Sequence, residues 1–360
     1  MKRISLAVAA LVILLALGAC GGAAQKKDAE GFPEGELLAA DSTAIDEILE
    51  VNRIMLCKDY AAIYSPKTSK VLFRYRLPGW EFVDSSLVTG EGPDDLSSAY
   101  LLNTSEPGND LWLFEPNRHK SSRYDLSGPE VRKTLSMPAK SSDWIFSGTV
   151  CGDTLLVYGN LNFEDGEYYL FNGQLTDSLK KLDSIRCFSK SEIKIVNTDG
   201  GVSKYGTMRN VPSIGISGDR MAAWYSETGA MLVYRIGQDG RFLLEKSFGE
   251  PLTYDKVKNI DFSNQKRNYS ENLAAVSDDY IYLVRTQYDR VPDEKPDPDN
   301  PRKVVALEIK VYDWDMNPVK KYGLDQKEAT NVLIDEPNGK IYAYDRRLDF
   351  EQVYVYGYSL

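Results

Sequence analysis

The sequence predicts an all-β chain, a six-bladed β-propeller whose ring is closed by an N-terminal strand joining the last blade. Three observations carry this. A turn residue followed by an apolar run recurs six times along the 360 residues. Successive copies are 51, 43, 66, 60 and 61 residues apart, against the repeat of about 40–50 residues expected of four-stranded blades. The last copy is one strand short, while a short apolar run near the N-terminus has no copy of its own.

The clearest copy is Ile48 to Pro93. Apolar runs at Ile48–Leu56, Tyr60–Tyr64 and Val71–Tyr75 are separated by Cys57-Lys58-Asp59 and by Ser65–Ser69. A turn at Pro78-Gly79 leads to a fourth run ending in Gly90-Glu91-Gly92-Pro93. Aligned on the first break, the copies begin at Asp59, Asn109-Asp110, Gly152-Asp153, Gly218-Asp219, Asp278-Asp279 and Gly339-Lys340. Asn, Asp and Gly are the residues a tight hairpin demands. After Ile341–Tyr344 only Gln352–Tyr358 remains, so Glu36–Ala40 is expected to supply the missing outer strand. Closure removes the unpaired edges that an open sheet exposes. A single sandwich of about 320 residues would be unusually large.

The N-terminus reads as a targeting segment. Lys2 and Arg3 precede the apolar run Ile4–Leu17, and Leu17-Gly18-Ala19-Cys20 follows. The run is shorter than the ~20 residues a spanning helix needs and has the small-residue end of a cleaved signal. Leu-Gly-Ala-Cys resembles a bacterial lipobox, which implies a signal peptide over 1–19 and lipidation of Cys20. Residues 20–34 hold one large apolar side chain, Phe32, and read as a flexible tether. The propeller then occupies 35–360.

Gly90-Glu91-Gly92-Pro93-Asp94-Asp95-Leu96 resembles the Gly-x-Gly-Pro-acid-apolar turn of NHL-like repeats. Phe248-Gly249-Glu250-Pro251 and Tyr322-Gly323 are partial echoes. With the lipobox and the six copies, the whole mature chain resembles the TolB-like six-bladed propeller lipoproteins of Bacteroidetes-type bacteria. The resemblance implies a lipid-anchored, outer-membrane envelope protein, and supports fold and anchor more than an activity.

Composition sets the limits on function. The formal net charge is −10, with one histidine, which does not suit a nucleic-acid partner. Cys57, Cys151 and Cys187 remain beside Cys20. They allow one disulfide at most and show no metal-ligand spacing. No nucleophile elbow, zinc-protease or phosphate-loop motif is present, so no catalytic residue, metal or cofactor is assigned. His119 stands in a predicted hairpin turn without a carboxylate or nucleophile beside it. Asp293, Glu294, Asp297 and Asp299 lack calcium-loop spacing.

Three long loops concentrate what is specific to this chain: Ile185–Val211, Gly249–Asn272 and Arg285–Arg302. Thr198-Asp199-Gly200-Gly201 marks a hairpin inserted in the first of them. The loops supply the candidate ligand-binding residues Lys194, Tyr205, Arg209, Tyr254, Lys266, Arg267, Tyr269, Tyr288 and Arg290. Guanidinium and ammonium groups with phenol rings suit anionic or sugar-like ligands, although solvated loops contain such residues too. The expected function is a membrane-anchored, monomeric, non-catalytic binding module for a glycan, peptide or envelope protein. The rival is a metal-assisted lactonase or lyase with Glu, Asp, Asn or His converging at the channel mouth.

Overall fold

The computed structural model describes residues 27–360 except 49, 93–94, 107, 139–144, 146–147, 153, 163–166, 176–178, 199–200, 263–266, 293–301, 328 and 347–351. The signal segment, Cys20 and the acidic loop from Asp293 to Asp299 lie outside the described residues. The chain is all-β and propeller-like. Four-stranded antiparallel meanders follow one another: β3–β6 (Arg53–Leu56, Tyr60–Tyr64, Leu72–Arg76, Glu81–Ser86) and β7–β10 (Tyr100–Thr104, Asp110–Glu115, Lys120–Asp125, Arg132–Pro138). Next come β11–β14 (Gly148–Cys151, Leu155–Asn162, Glu167–Leu175, Leu179–Arg186) and β17–β20 (Ser213–Ser217, Arg220–Tyr225, Ala230–Ile236, Phe242–Phe248). The fifth is β21–β24 (Tyr269–Val276, Tyr280–Tyr288, Val304–Asp313, Pro318–Leu324), and the chain ends in a three-stranded meander, β25–β27 (Asn331–Asp335, Lys340–Tyr344, Val353–Ser359). All six sequence breaks fall in the hairpin between a unit's first and second strands. Gly152, Gly218 and Gly339 adopt φ of 58°, 56° and 59° there, a conformation open to glycine at no steric cost.

The units pack face to face. Ile54, Ile63 and Phe73 of the first unit share a core with Tyr342, Tyr344, Val353 and Val355 of the last. Tyr60, Ala62 and Leu72 of the first unit meet Leu101, Leu111 and Leu113 of the second on the other face. The innermost strands lie parallel and side by side, and β7 and β11 are close enough to pair (Thr149 with Asn103, Val150 with Thr104).

The N-terminal strand differs from expectation by a few residues. The partner of β27 is β2 (Asp41–Ile45), antiparallel, with Thr43 opposite Val355. The expected segment forms β1 (Glu36–Leu38), which adds in parallel to β24 as a fifth strand. The reason is patterning: Ile45 turns a fully buried side chain toward the first–last core, whereas Leu37 is 75% exposed.

The tether reading also needs correction for residues 27–34. Phe32 is 0% exposed and meets Tyr312 edge-on at 5.0 Å between ring centres. Asp28 Oδ1 accepts from the backbone N–H groups of Glu30 and Phe32, closing a compact turn, and Asp28 pairs with Lys321. Glu30 bonds Arg285 and Lys310, each at 2.8 Å. Lys310 is 1% exposed and also meets Glu271 at 3.1 Å. Burial pushes the Glu30 carboxyl up, but the two cations more than reverse this and hold it below its ordinary value. One apolar ring and one needed counter-charge are enough to order the segment.

Cys57, Cys151 and Cys187 are buried free thiols. Burial pushes each up to about 12, where thiolate is scarce at neutral pH. Among the described residues no helix is long and apolar enough to cross a membrane.

Two outcomes follow from this packing. Phe32→Ala should cost about 3–5 kcal/mol, read as a lower urea midpoint at unchanged slope; an unaltered midpoint would mean the segment is not docked. At pH 8 the three thiols should resist iodoacetamide in the native protein and react once it is unfolded in urea. Labelling of any of them at native stability would contradict their burial.

Candidate functional site

The face where the first strand of each unit begins, here the upper face, carries the connections between units and the turns between second and third strands. Of the long insertions there, the first is a hairpin, as expected: β15 (Lys190–Thr198) pairs with β16 (Gly201–Arg209). Lys194 stands opposite Tyr205 in its register. The second insertion contains a short helix that the sequence reading did not anticipate, α1 (Tyr254–Asn259), capped by the Thr253 side chain accepting from Lys256 N.

Arg209 is held by its neighbour. Asn210 is 2% exposed with φ of 57°, a left-handed conformation that asparagine tolerates better than most residues. Its Nδ2 donates to Phe188 O at 2.7 Å, its Oδ1 accepts from Thr228, and its carbonyl accepts from Ser189. Its N–H donates to Glu227 Oε2 at 3.0 Å, while Glu227 Oε1 takes Arg209 at 3.3 Å. The turn Ser226–Gly229 and the β16 end are thereby locked together. Arg209 Nε is buried and has no hydrogen-bond partner among the described residues.

Beside it lies a pocket of about 250 Å³ lined by Arg209, Glu227, Phe262, Arg267, Tyr269, Tyr288 and Arg302, among others. Arg267 donates to Ser226 O at 3.2 Å and lies 5.7 Å from the Tyr269 ring centre. Arg302 stacks on Tyr288 at 4.1 Å. Beneath, Arg285 covers the other approach to Tyr269 at 4.6 Å and bonds Glu271 at 2.9 Å. The neck of the long loop is clipped by Asp289 N to Lys303 O and Lys303 N to Asp289 Oδ1, which fixes Tyr288 and Arg302 side by side.

Four of the nine candidates from the sequence, Arg209, Arg267, Tyr269 and Tyr288, line this one pocket. Tyr254 does not. It belongs to a polar cluster with Glu167, Arg186 and Lys258, the two cations lying 3.9 Å and 4.2 Å over its ring. Burial pushes Glu167 up, yet the donors Arg186 and Tyr254 hold it below its ordinary value. Arg290 pairs with Asp289 at 3.3 Å and is not among the lining residues. Lys266 lies outside the described residues, as do the side chains of Lys194 and Tyr205. His119 is exposed with φ of 46°, donating N–H to Pro116 O. Arg302 and Glu227 were missed because nothing in sequence ties a loop end to the turn of the preceding unit.

A second concavity lies on the axis. This cavity of about 490 Å³ is lined by all six innermost strands. Arg53, Asn52, Asn103, Asn331, Thr149, Tyr344 and Arg346 give it polar walls, and Ile216, Val276 and Ile334 an apolar part. None of its lining residues is a carboxylate or a histidine. The opposite mouth is different, carrying Asp278, Asp279 and Glu336. Among the described residues no cluster of His, Cys, Asp and Glu could hold a metal ion.

No family model matches the chain, and no curated protein matches it. Solved structures do share its fold. A putative exported protein from Bacteroides fragilis is 10% identical, with a TM-score of 0.50 over 90% of this chain and 95% of its own. Regucalcin from Agrobacterium tumefaciens, a calcium-binding protein, is 10% identical with a TM-score of 0.47, over 90% and 97% of the two chains. A member of the DUF4221 family from Bacteroides vulgatus is 9% identical with a TM-score of 0.41, over 89% and 98%. The likeness to the first of these shows the fold.

The Asn210 hub yields a test of the site's local architecture. Asn210→Ala should destabilise by about 2–3 kcal/mol, from lost hydrogen bonds and a strained backbone. Asn210→Gly, free of the backbone part, should cost less by urea unfolding. The reverse order would mean that Asn210 is not held in the left-handed conformation.

Proposed function

We propose that this chain is a membrane-held binding module of the bacterial envelope that captures an acidic glycan on its upper face without transforming it. In this reading the meanders complete a six-bladed, TolB-like propeller with NHL-like turns, its last blade finished by β2. Residues 1–19 are a signal peptide, and Cys20 carries the lipid that holds a monomer at the outer membrane. The exported character of the Bacteroides fragilis structure is in keeping with this location.

The observation that carries the reading is one pocket with Arg209, Arg267 and Arg302 beside Tyr269 and Tyr288. The arginines offer forked donors to carboxylate or sulfate, and tyrosine faces suit the flat apolar faces of sugar rings. The second reading, a metal-assisted lactonase or lyase, needs oxygen or imidazole ligands converging in the channel; the cavity at the upper mouth offers amides and guanidiniums, and the carboxylates Asp278, Asp279 and Glu336 stand at the opposite mouth.

Capture on an array of acidic glycans, neutral glycans and envelope peptides tests the assignment. Acidic glycans should be retained, and the variant Arg209→Ala/Arg267→Ala/Arg302→Ala should lose at least about 90% of the retained signal while keeping its melting temperature within a few degrees. Unchanged capture by the triple variant would remove this pocket from the account. Retention of peptides alone would redirect it to a protein partner.

A further inference from the structure

The axial cavity has an uneven supply of donors and acceptors. Arg53 uses one Nη to donate to Leu101 O at 2.9 Å and the other to donate to Asn103 Oδ1 at 2.8 Å. A guanidinium has five N–H donors, so three remain. Asn103 Oδ1 is occupied by that bond, which leaves its Nδ2 donors. Asn331 brings a second amide to the wall, with its Oδ1 3.1 Å from the Thr330 hydroxyl, and its amide N–H groups remain. Tyr344 Oη accepts from Ile54 N at 3.4 Å and keeps its own proton. Burial raises that phenol's pKa, so it stays a donor.

The charges are uneven in the same sense. Arg53 and Arg346 both line the cavity. Among the described residues, neither has a carboxylate within ion-pair distance. Arg346 is set by its backbone N–H donating to Thr330 Oγ1 at 2.9 Å. Burial holds the Arg53 guanidinium below its usual range; Tyr344 counters this, and Arg346 adds to it. The titratable neighbours acting on Arg53 are thus a phenol and a like charge. Asp345, on the turn beside Arg346, accepts from Thr330 and is not among the lining residues. Two guanidiniums facing one cavity with no carboxylate among its lining residues repel each other, and Arg53, the more buried of the two, carries a desolvation cost as well. An anion between them relieves both.

We propose that the axial cavity is a second binding site, for a small hydroxylated carboxylate of the hexuronic-acid class. The planar carboxylate lies against the forks of Arg53 and Arg346. Ring hydroxyls meet the amides of Asn103 and Asn331 and the hydroxyl of Thr149, and the aliphatic wall of Ile216, Val276 and Ile334 takes the ring's C–H face. The cavity volume of about 490 Å³ exceeds what a bare inorganic anion fills, and it falls in the range of small-molecule sites. The site does not depend on the outer pocket over the fourth and fifth units.

Titration calorimetry of the full chain with galacturonate, galactose and inorganic phosphate tests it. With the outer pocket removed by Arg267→Ala/Arg302→Ala, galacturonate should still bind saturably at one site, and galactose should not bind. Arg346→Gln, an exposed residue whose loss spares the fold, should weaken galacturonate at least about tenfold. Arg53→Gln should weaken it as much wherever its thermal transition shows it folded. Persistence of this Arg346-dependent binding in Arg267→Ala/Arg302→Ala separates the site from the glycan pocket. Absence of galacturonate binding, equal binding by Arg346→Gln, loss in the Arg267/Arg302 variant, or displacement by equimolar phosphate would each overturn the proposal.

Discussion

The pairing that joins the first and last meanders links strands that sequence holds about three hundred residues apart. Asp41–Ile45 runs antiparallel to Val353–Ser359, and Ile45 enters the core shared by the first and last meanders. Closing a flexible loop of that length costs roughly 5 kcal/mol in chain entropy beyond a constant. Five paired residues return a similar amount at about 1 kcal/mol per net hydrogen bond, so hydrogen bonding alone breaks even. The balance is tipped by burial of Ile45, Ile48 and Val51, each at most 3% exposed and worth about 1.5–3 kcal/mol. Meanders that stand already formed shorten the effective loop further. The clasp is therefore an apolar interaction with a hydrogen-bonded register, and its partner is chosen by which run can bury its side chains.

The same reasoning explains how much of the fold was legible. Six breaks rich in Asn, Asp and Gly found six first hairpins, because a turn's backbone conformation selects its residues locally. The choice between Glu36–Ala40 and Asp41–Ile45 was not legible, because both are short and half-polar. Only the position of Ile45 against Tyr342 and Val353 decides it. The segment around Phe32 reads as polar and small, and its average says tether. Averages fail there because a single ring against Tyr312 and a single carboxylate reaching Lys310 supply the ordering. An ammonium 1% exposed beneath the surface needs its counter-charges, and Glu30 brings one of them from the far end of the chain. The local signal of a docked segment can thus be one residue long.

The site divides along the same line. Arg209, Arg267, Tyr269 and Tyr288 were found as members of long basic loops. Their meeting follows from the loops springing from adjacent units. Arg302 escaped because it ends a loop, and Glu227 because its turn is short. The axial residues escaped for a different reason. Asn52 and Asn103 occupy the same place seven residues before their breaks, a recurrence visible in hindsight. Arg53 and Arg346, however, are almost three hundred residues apart and stand in a strand and a turn with no unusual composition. Convergence on one cavity is a product of several units together and leaves no mark in any one of them.

The distribution of charge gives the two faces different chemistry. An overall charge of −10 would seem to repel an acidic ligand. Screening at physiological ionic strength limits that field to about 8 Å, so an approaching anion senses the nearest groups. At the upper mouth these are Arg53, Arg346 and the amide groups of Asn103 and Asn331. At the lower mouth they are Asp278, Asp279 and Glu336. An anion therefore has one favourable way in, and the acidic end opposes passage through. Donors at one end and carboxylates at the other give the cavity a field that runs one way along its axis.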